Sequence, residues 1–337
     1  MDLTILIPTY NRHELIKKLL SFYELSKFKG NIIIIDSSEN EILIKTRLLI
    51  KKFKKIKVEY VEYKNDAYSA KCKVFDKIKT KYVVQSGDDD YYFSKGLVKI
   101  IRYLNKNSHL KYAVGDGVFM TYDKNIIHRC WYYKIPFYKD NTILKRLKKF
   151  SLTNKQLMEY SVYKTDTFKK VYFYGKWKRN IIKADWNNLN EINSNFSTAI
   201  HGPGNHVPSL YLARTELKNL EKESRLQLIN RNKFDKEFKK WRLKILFEIK
   251  KYDSSEKALD IANKKMDLIY SDKVLLTNKN TWGKTKKIFQ FTIKNYFKII
   301  IFRLRFKKRL HQVLLDKKSS LFNTEFEILS KILLKNE

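Results

Sequence analysis

Apolar runs of strand length alternate with helically spaced segments through roughly the first ninety residues, and this alternation leaves few architectures open. Leu3 to Ile7 is a compact apolar run stopped by Pro8 and predicts a buried strand. His13 to Ser26 follows, with Leu15, Ile16, Leu19, Leu20 and Tyr23 at helical spacing. Ile32 to Ile35 predicts a second buried strand, Glu39 to Phe53 a helix, and Val58 to Tyr63 a third strand. Ala67 to Ile78 predicts another helix before a fourth strand at Tyr82 to Val84. Strand-helix alternation of this kind predicts an α/β fold with a mostly parallel sheet covered on both faces.

In open sheets of this kind ligands bind beyond the carboxyl ends of the strands. Polar clusters fall at those ends: Pro8 to Arg12, Asp36 to Ser38, and Gly87 to Asp90. The last contains consecutive carboxylates, Asp88, Asp89 and Asp90, directly after a buried strand. Like charges this close raise one another's pKa, and a divalent cation resolves the repulsion. Mg²⁺ commonly takes one or two carboxylates and completes its shell with phosphate oxygens and water, so the spacing suits a metal bridging protein and diphosphate. Taken alone, such a triplet is also what a solvated acidic turn looks like; its place after a fourth strand favours the metal.

Beyond the aspartates, Ser94 is placed to cap a helix running to Leu104. Tyr112 to Ile135 is strand-like, and Ile181 to Phe196 is helical. A loop follows at His201-Gly202-Pro203-Gly204-Asn205-His206, and a short strand at Leu210 to Leu212. Past about Arg214 the chain turns helical and charge-dense. Cys72 and Cys130 are the only cysteines, too few for a disulfide framework, and are expected as small reduced apolar residues. No apolar run reaches the roughly 20 residues of a membrane-spanning helix and no secretory leader is recognisable, so a cytoplasmic protein is expected.

Net charge is the compositional outlier, at +36 from 71 basic and 35 acidic residues. A field of that size attracts polyanions, although abundant Lys, Ile, Asn, Tyr and Phe also follow from an AT-biased genome. From Lys284 to Arg309 there are ten Lys or Arg and no acidic residue. As a helix this stretch sets Lys287, Lys294, Lys298, Arg305 and Arg309 on one face and Phe289, Ile293, Tyr296, Ile300 and Leu304 on another. That is the pattern of an in-plane helix on an anionic membrane, or of an ordinary packed helix with a basic outer face.

Leu3 to Arg12, Ile32 to Ser38, Tyr68-Ser69-Ala70-Lys71 and Tyr82 to Tyr91 together resemble, in order, the motifs of family 2 glycosyltransferases with the GT-A fold. The resemblance is good over residues 1–105, thinner to 214 and absent beyond. It implies a Rossmann-like GT-A domain over 1–214, with a nucleotide-binding half at about 1–105, an acceptor half at about 106–214, and a basic helical extension over 215–337. By position it implies that Thr9, Tyr10 and Arg12 line the nucleotide pocket, that Asp36 accepts hydrogen bonds from the base, and that Lys71 binds base or phosphate. Asp88 and Asp89 would meet ribose and diphosphate, and Asp90, with Asp88, would ligate Mg²⁺ or Mn²⁺. Common members carry a carboxylate where Gly87 stands, so the register inside the cluster stays open by one residue.

The resemblance also implies a catalytic carboxylate at the start of a helix in the second half, which takes the proton from the acceptor hydroxyl. Asp185 is the first candidate and Glu191 the second, with an N-capping role for Asp185 as the alternative. Tyr211 to Arg214 resembles a strand whose closing Arg faces phosphate, while His201 and His206 flank a turn that by itself explains the nearby glycines. The Gln-x-x-Arg-Trp motif of processive synthases is missing, which argues for single transfers. The implied partners are a nucleotide-sugar donor, with UDP-sugars favoured, and a glycan or lipid-linked acceptor in cell-surface polysaccharide synthesis. Contact with anionic membrane through 284–309 is a further expectation, and specific nucleic-acid binding is not expected. A sugar-nucleotide nucleotidyltransferase would want a glycine-rich loop where Pro8 to Arg12 stands. A non-enzymatic nucleic-acid or membrane-binding protein is the remaining alternative.

Overall fold

The computed structural model describes residues 1–64, 71–123, 126–150, 157–173, 186–217, 231–277 and 309–334. Among them, one nine-stranded mixed sheet organises the chain. Strands β1 (Leu3–Thr9), β2 (Asn31–Asp36), β3 (Lys57–Glu62) and β4 (Tyr82–Gln85) form its parallel half, in the order β3-β2-β1-β4. Leu3 to Ile7 and Ile32 to Asp36 are buried along their length, as strands covered on both faces must be. β3 forms where a third strand was expected, at Val58 to Tyr63, shifted by one residue. It lies at the sheet edge with Lys57, Glu59 and Glu62 exposed, and charges of this kind blunt an unpaired edge.

The other half contains β5 (Asp90–Tyr92), β6 (Tyr112–Tyr122), β7 (Ile127–Lys134), β8 (Val162–Lys164) and β9 (Gly204–Leu217). β8 lies antiparallel between β4 and β6, β6 runs parallel to β9, and β5 closes antiparallel on β9 with Asp90 opposite Arg214. Helices cover the sheet: α1 (His13–Leu25), α2 (Asn40–Ile50), α3 (Ser94–Lys106), α4 (Ile143–Lys149), α5 (Thr165–Phe173) and α6 (Trp186–His201). A helical extension follows as α7 (Arg231–Lys250), α8 (Glu256–Thr277), α9 (Leu310–Leu315) and α10 (Thr324–Leu333). No helix among the described residues is long and apolar enough to cross a membrane.

Three local expectations change. The described part of the segment 67–78 is short helix ending in a 3₁₀ turn at Phe75–Lys77. The loop expected over residues 201–206 shrinks to Gly202 and Pro203, because His201 closes α6 and Gly204 already opens β9. β9 is fourteen residues long where a short strand at Leu210 to Leu212 was expected. It pairs with β6 along its length, but register shifts between Val114 and Gly117 break the alternation a sequence pattern relies on.

A further change ties the two ends of the chain together. Ser94 does not cap α3; it is the first helical residue, and its hydroxyl is buried without a hydrogen-bond partner. The helix is capped from 231 residues away, by the buried Glu325 carboxylate, which accepts the Ser94 amide at 2.6 Å and the Lys95 amide at 3.1 Å. An anion at a helix N-terminus meets both the unpaired amides and the positive end of the helix dipole. Beside it Phe326 packs edge-on against Phe93, and α10 lies against α1. The extension is therefore joined to the nucleotide-side half of the sheet. Replacing Glu325 with Ala takes the acceptor from two part-buried amides and is expected to cost about 1–3 kcal/mol. Urea unfolding of Glu325→Ala and Glu325→Gln measures it, with Gln losing less because it keeps one acceptor oxygen.

Candidate active site

The loop after β1 and the loop after β2 are locked to each other before either meets the aspartates. Asn11 adopts the left-handed conformation, with φ of 53°, which Asn tolerates better than most residues. Its amide donates to Ser38 Oγ at 2.7 Å, and its Oδ1 accepts the Glu39 amide at 3.0 Å. The turn lets Thr9 and Arg12 reach one carboxylate from two sides. Thr9 Oγ1 donates to Asp88 Oδ2 at 2.8 Å, and Arg12 donates to Asp88 Oδ1 at 2.8 Å. Arg12 also lies 3.7 Å from Asp89. Tyr10, between them, is 58% exposed at the rim.

Asp36, at the end of β2, is buried and held by the Ser38 amide at 2.8 Å and the Tyr60 hydroxyl at 2.9 Å. Burial and the adjacent Asp36 charge push the Tyr60 hydroxyl pKa far up, so Tyr60 stays a donor. Lys71 is buried beside β4, where its ammonium donates to Gln85 Oε1 at 2.7 Å and faces the Tyr172 ring. Gln85 in turn donates to Glu159, which also accepts from Ser194.

Asp90 is the most enclosed member of the cluster. The Tyr160 hydroxyl donates to its Oδ2 at 2.8 Å, and Arg214 Nε stands 3.6 Å from Oδ1, beyond hydrogen-bond range. The Arg214 guanidinium lies over the Tyr160 ring at 4.8 Å and near the Phe119 ring at 6.0 Å, which fixes its plane. Arg214 Nε is itself buried without a hydrogen-bond acceptor. Burial raises the Asp90 pKa, against the pull of Arg214 and Tyr160. The Asp89 carboxyl is pushed up to about 7 by partial burial and the charges of Asp90 and Asp88, with Arg12 opposing.

Gly87 explains how the two strained carboxylates fit. A Cβ at this position would lie 2.8 Å from both Asp89 Oδ1 and Asp90 Oδ2, so these oxygens converge over a bare Cα. Two convergent, repelling carboxylate oxygens form a hard donor set, and Mg²⁺ or Mn²⁺ fits that chemistry. No group of three or more His, Cys, Asp or Glu gathers around a common point among the described residues. The remaining ligands of an ion held here would be water or substrate oxygens.

The structure thus brings Thr9, Arg12, Asp88, Asp89 and Asp90 into one cluster, with Asp36 at the end of β2 and Lys71 bonded to Gln85 at the end of β4. Asp185 lies outside the described residues, and so does the side chain of Glu191, whose backbone belongs to α6. His201 is buried against Tyr252 and Glu248, and burial lowers its pKa to about 4. His206 pairs with Asp116 at 3.0 Å and stacks on Phe137. Sequence reasoning missed Tyr160, Glu159 and Gln85; a 3₁₀ turn at Leu157–Tyr160 carries no local signal that it ends against a residue 70 positions away.

The architecture is a mixed α/β sheet with helices on its faces and acidic residues gathered at the carboxyl ends of its parallel strands. The family model described as Glycosyl transferase family 2 matches residues 4–165. Residues 4–165, just under half of the chain, are thus similar to a family 2 glycosyltransferase domain. Among solved structures it is similar to Staphylococcus aureus TarS, with 16% identity, 79% of this chain and 43% of that chain covered, and a TM-score of 0.49. It is similar also to TarS 1-349 in complex with UDP-GlcNAc, at 16% identity, 78% and 70% coverage and a TM-score of 0.49. The mannosyltransferase PcManGT from Pyrobaculum calidifontis, in complex with GDP-Man and Mn²⁺, gives 12% identity, 88% and 86% coverage and a TM-score of 0.41. No curated protein matches the sequence significantly.

The Asp89 shift carries a sign that can be measured. Its value in the folded protein, about 7, lies above the ordinary 3.8, so the fold favours the protonated form. Stability contributed by that proton is present at low pH and is lost as pH rises from about 4 through 7. In EDTA, wild type should be less stable than Asp89→Asn at pH 8, and the two should converge only below about pH 4. Thermal unfolding across that range is the measurement.

Proposed function

We propose that the protein moves a sugar from a nucleotide-sugar donor to a hydroxyl of a glycan or lipid-linked acceptor, by a metal-assisted, inverting displacement. The observation that carries this is the convergence of Asp89 Oδ1 and Asp90 Oδ2 over Gly87, at the sheet edge where family 2 enzymes bind the donor. Asp90 and Asp89 hold Mg²⁺ or Mn²⁺ in this reading. Asp88, also a candidate ligand, has both oxygens engaged by Thr9 and Arg12 and serves mainly to orient the turn and the ribose. When bound, the cation neutralises the departing diphosphate as a Lewis acid. Arg214, fixed between two aromatic rings, sets a permanent positive charge beside the same leaving group. Tyr10, Asp36 and Lys71 complete the donor side, with UDP-sugars favoured because they are common in the family.

Asp185, immediately before α6, takes the acceptor proton, with Glu191 as the second candidate for the base. Attack from the face opposite the departing nucleotide inverts the anomeric carbon. The setting proposed is cell-surface polysaccharide synthesis, at the cytoplasmic side of the membrane. The 284–309 segment, outside the described residues, and the domain boundary near 214 keep their proposed roles as basic membrane contact and junction.

A thermal-shift screen of nucleotide sugars with and without Mn²⁺ tests the donor site. One or two donors should stabilise the protein only with metal, and Asp90→Ala should abolish the effect. Stabilisation that survives Asp90→Ala removes that residue from the metal site. Gly87→Ala should also lose metal-dependent stabilisation while keeping its circular dichroism spectrum, because the added methyl must drive the two oxygens apart.

A further inference from the structure

The outward face of α7 has no role in the site described above. Phe247 and Leu243 stand one turn apart on it, 64% and 62% exposed. At 100° per residue they form a central ridge, with Lys239 and Lys250 along one flank and Lys240 and Lys244 along the other, all four exposed. Lys251, just past the helix, is held by the buried Glu248 at 2.8 Å and lies over the Phe247 ring at 4.8 Å. The acidic residues of α7 whose side chains are described point elsewhere: Glu248 is buried and Asp235 accepts from Tyr270. The inner face is anchored by Phe238, Trp241, Ile245 and Ile249, and Trp241 donates to Asn193 of α6 at 2.8 Å. The ridge is therefore fixed relative to the acceptor half of the domain.

We propose that this face of α7 docks the enzyme on an anionic lipid bilayer. Leu243 and Phe247 enter the boundary between headgroups and acyl chains, and the flanking lysines meet lipid phosphates. An apolar ridge between two lysine rows matches a surface that is apolar inside and anionic outside. A nucleic acid would use the lysines but has no place for the protruding Leu. The proposal rests on the transferase reading for its purpose, since a docked enzyme meets lipid-linked acceptors, but its geometry is independent of the donor site and of 284–309.

Co-sedimentation with vesicles of phosphatidylcholine, with or without 30% phosphatidylglycerol, tests it on the full chain. Wild type should pellet with the anionic vesicles only. The double substitution Leu243→Ser, Phe247→Ser should weaken binding about tenfold or more, with unchanged melting temperature and unchanged Mn²⁺-dependent stabilisation by nucleotide sugar. Lys240→Gln, Lys244→Gln should weaken it further at low salt. Vesicle binding unaffected by the Ser pair overturns the proposal and leaves the association to charge elsewhere. Binding to poly(U) that falls in parallel with the Ser pair overturns it in favour of nucleic acid. Loss of donor stabilisation in wild type would sink the transferase reading and leave the vesicle result standing.

Discussion

Mutual repulsion among Asp88, Asp89 and Asp90 is the constraint around which the domain is arranged. Three adjacent carboxylates in a half-buried turn are costly unless cations or donors meet them, and the fold supplies these from four separate places. Thr9 comes from the end of β1, Arg12 from the loop after it, Tyr160 from a 3₁₀ turn, and Arg214 from β9. The compensation is uneven. Asp88 is fully engaged, whereas Asp89 and Asp90 keep raised pKa values and converge over Gly87. The partners on the page thus leave Asp89 and Asp90 less compensated than Asp88.

The same cluster explains why elements far apart in sequence are held rigidly. α1 begins directly after Arg12 and α3 directly after β5, so the angles of these helices set the positions of Asp88 to Asp90 and their partners. Both helices contact α10, and Glu325 satisfies the first amides of α3. The helical extension thus helps to hold α1 and α3, which flank the aspartate cluster. α7 presents Leu243 and Phe247 to solvent on its other side.

Much of the nucleotide half was legible because its signals are local. β1, β2 and β4 are apolar without interruption, and the residues that follow each strand are polar and close in sequence. The same logic failed at Ser94, a residue of N-cap type in an N-cap context, because a buried carboxylate from α10 reached the amides first. It failed at β9, where bulges blur the alternation, and at Tyr160, which stands in an undistinguished turn. Arg214 was singled out as a phosphate-facing residue, but its opposition to Asp90 depends on an antiparallel pairing between strands more than a hundred residues apart.

By itself, the sequence determined the strand-helix order of the first half, the strand ends that carry polar residues, and the family those motifs belong to. Each follows from residues within one turn or one strand of each other, where hydrophobic periodicity and loop chemistry act directly. Tertiary structure alone decided which of the aspartates is neutralised and which keeps its charge to offer. It also decided that Gly87 opens the space for their oxygens and that the last helix caps the third. These are differences in burial and distance among groups contributed by remote segments, and no local pattern encodes which remote segment arrives.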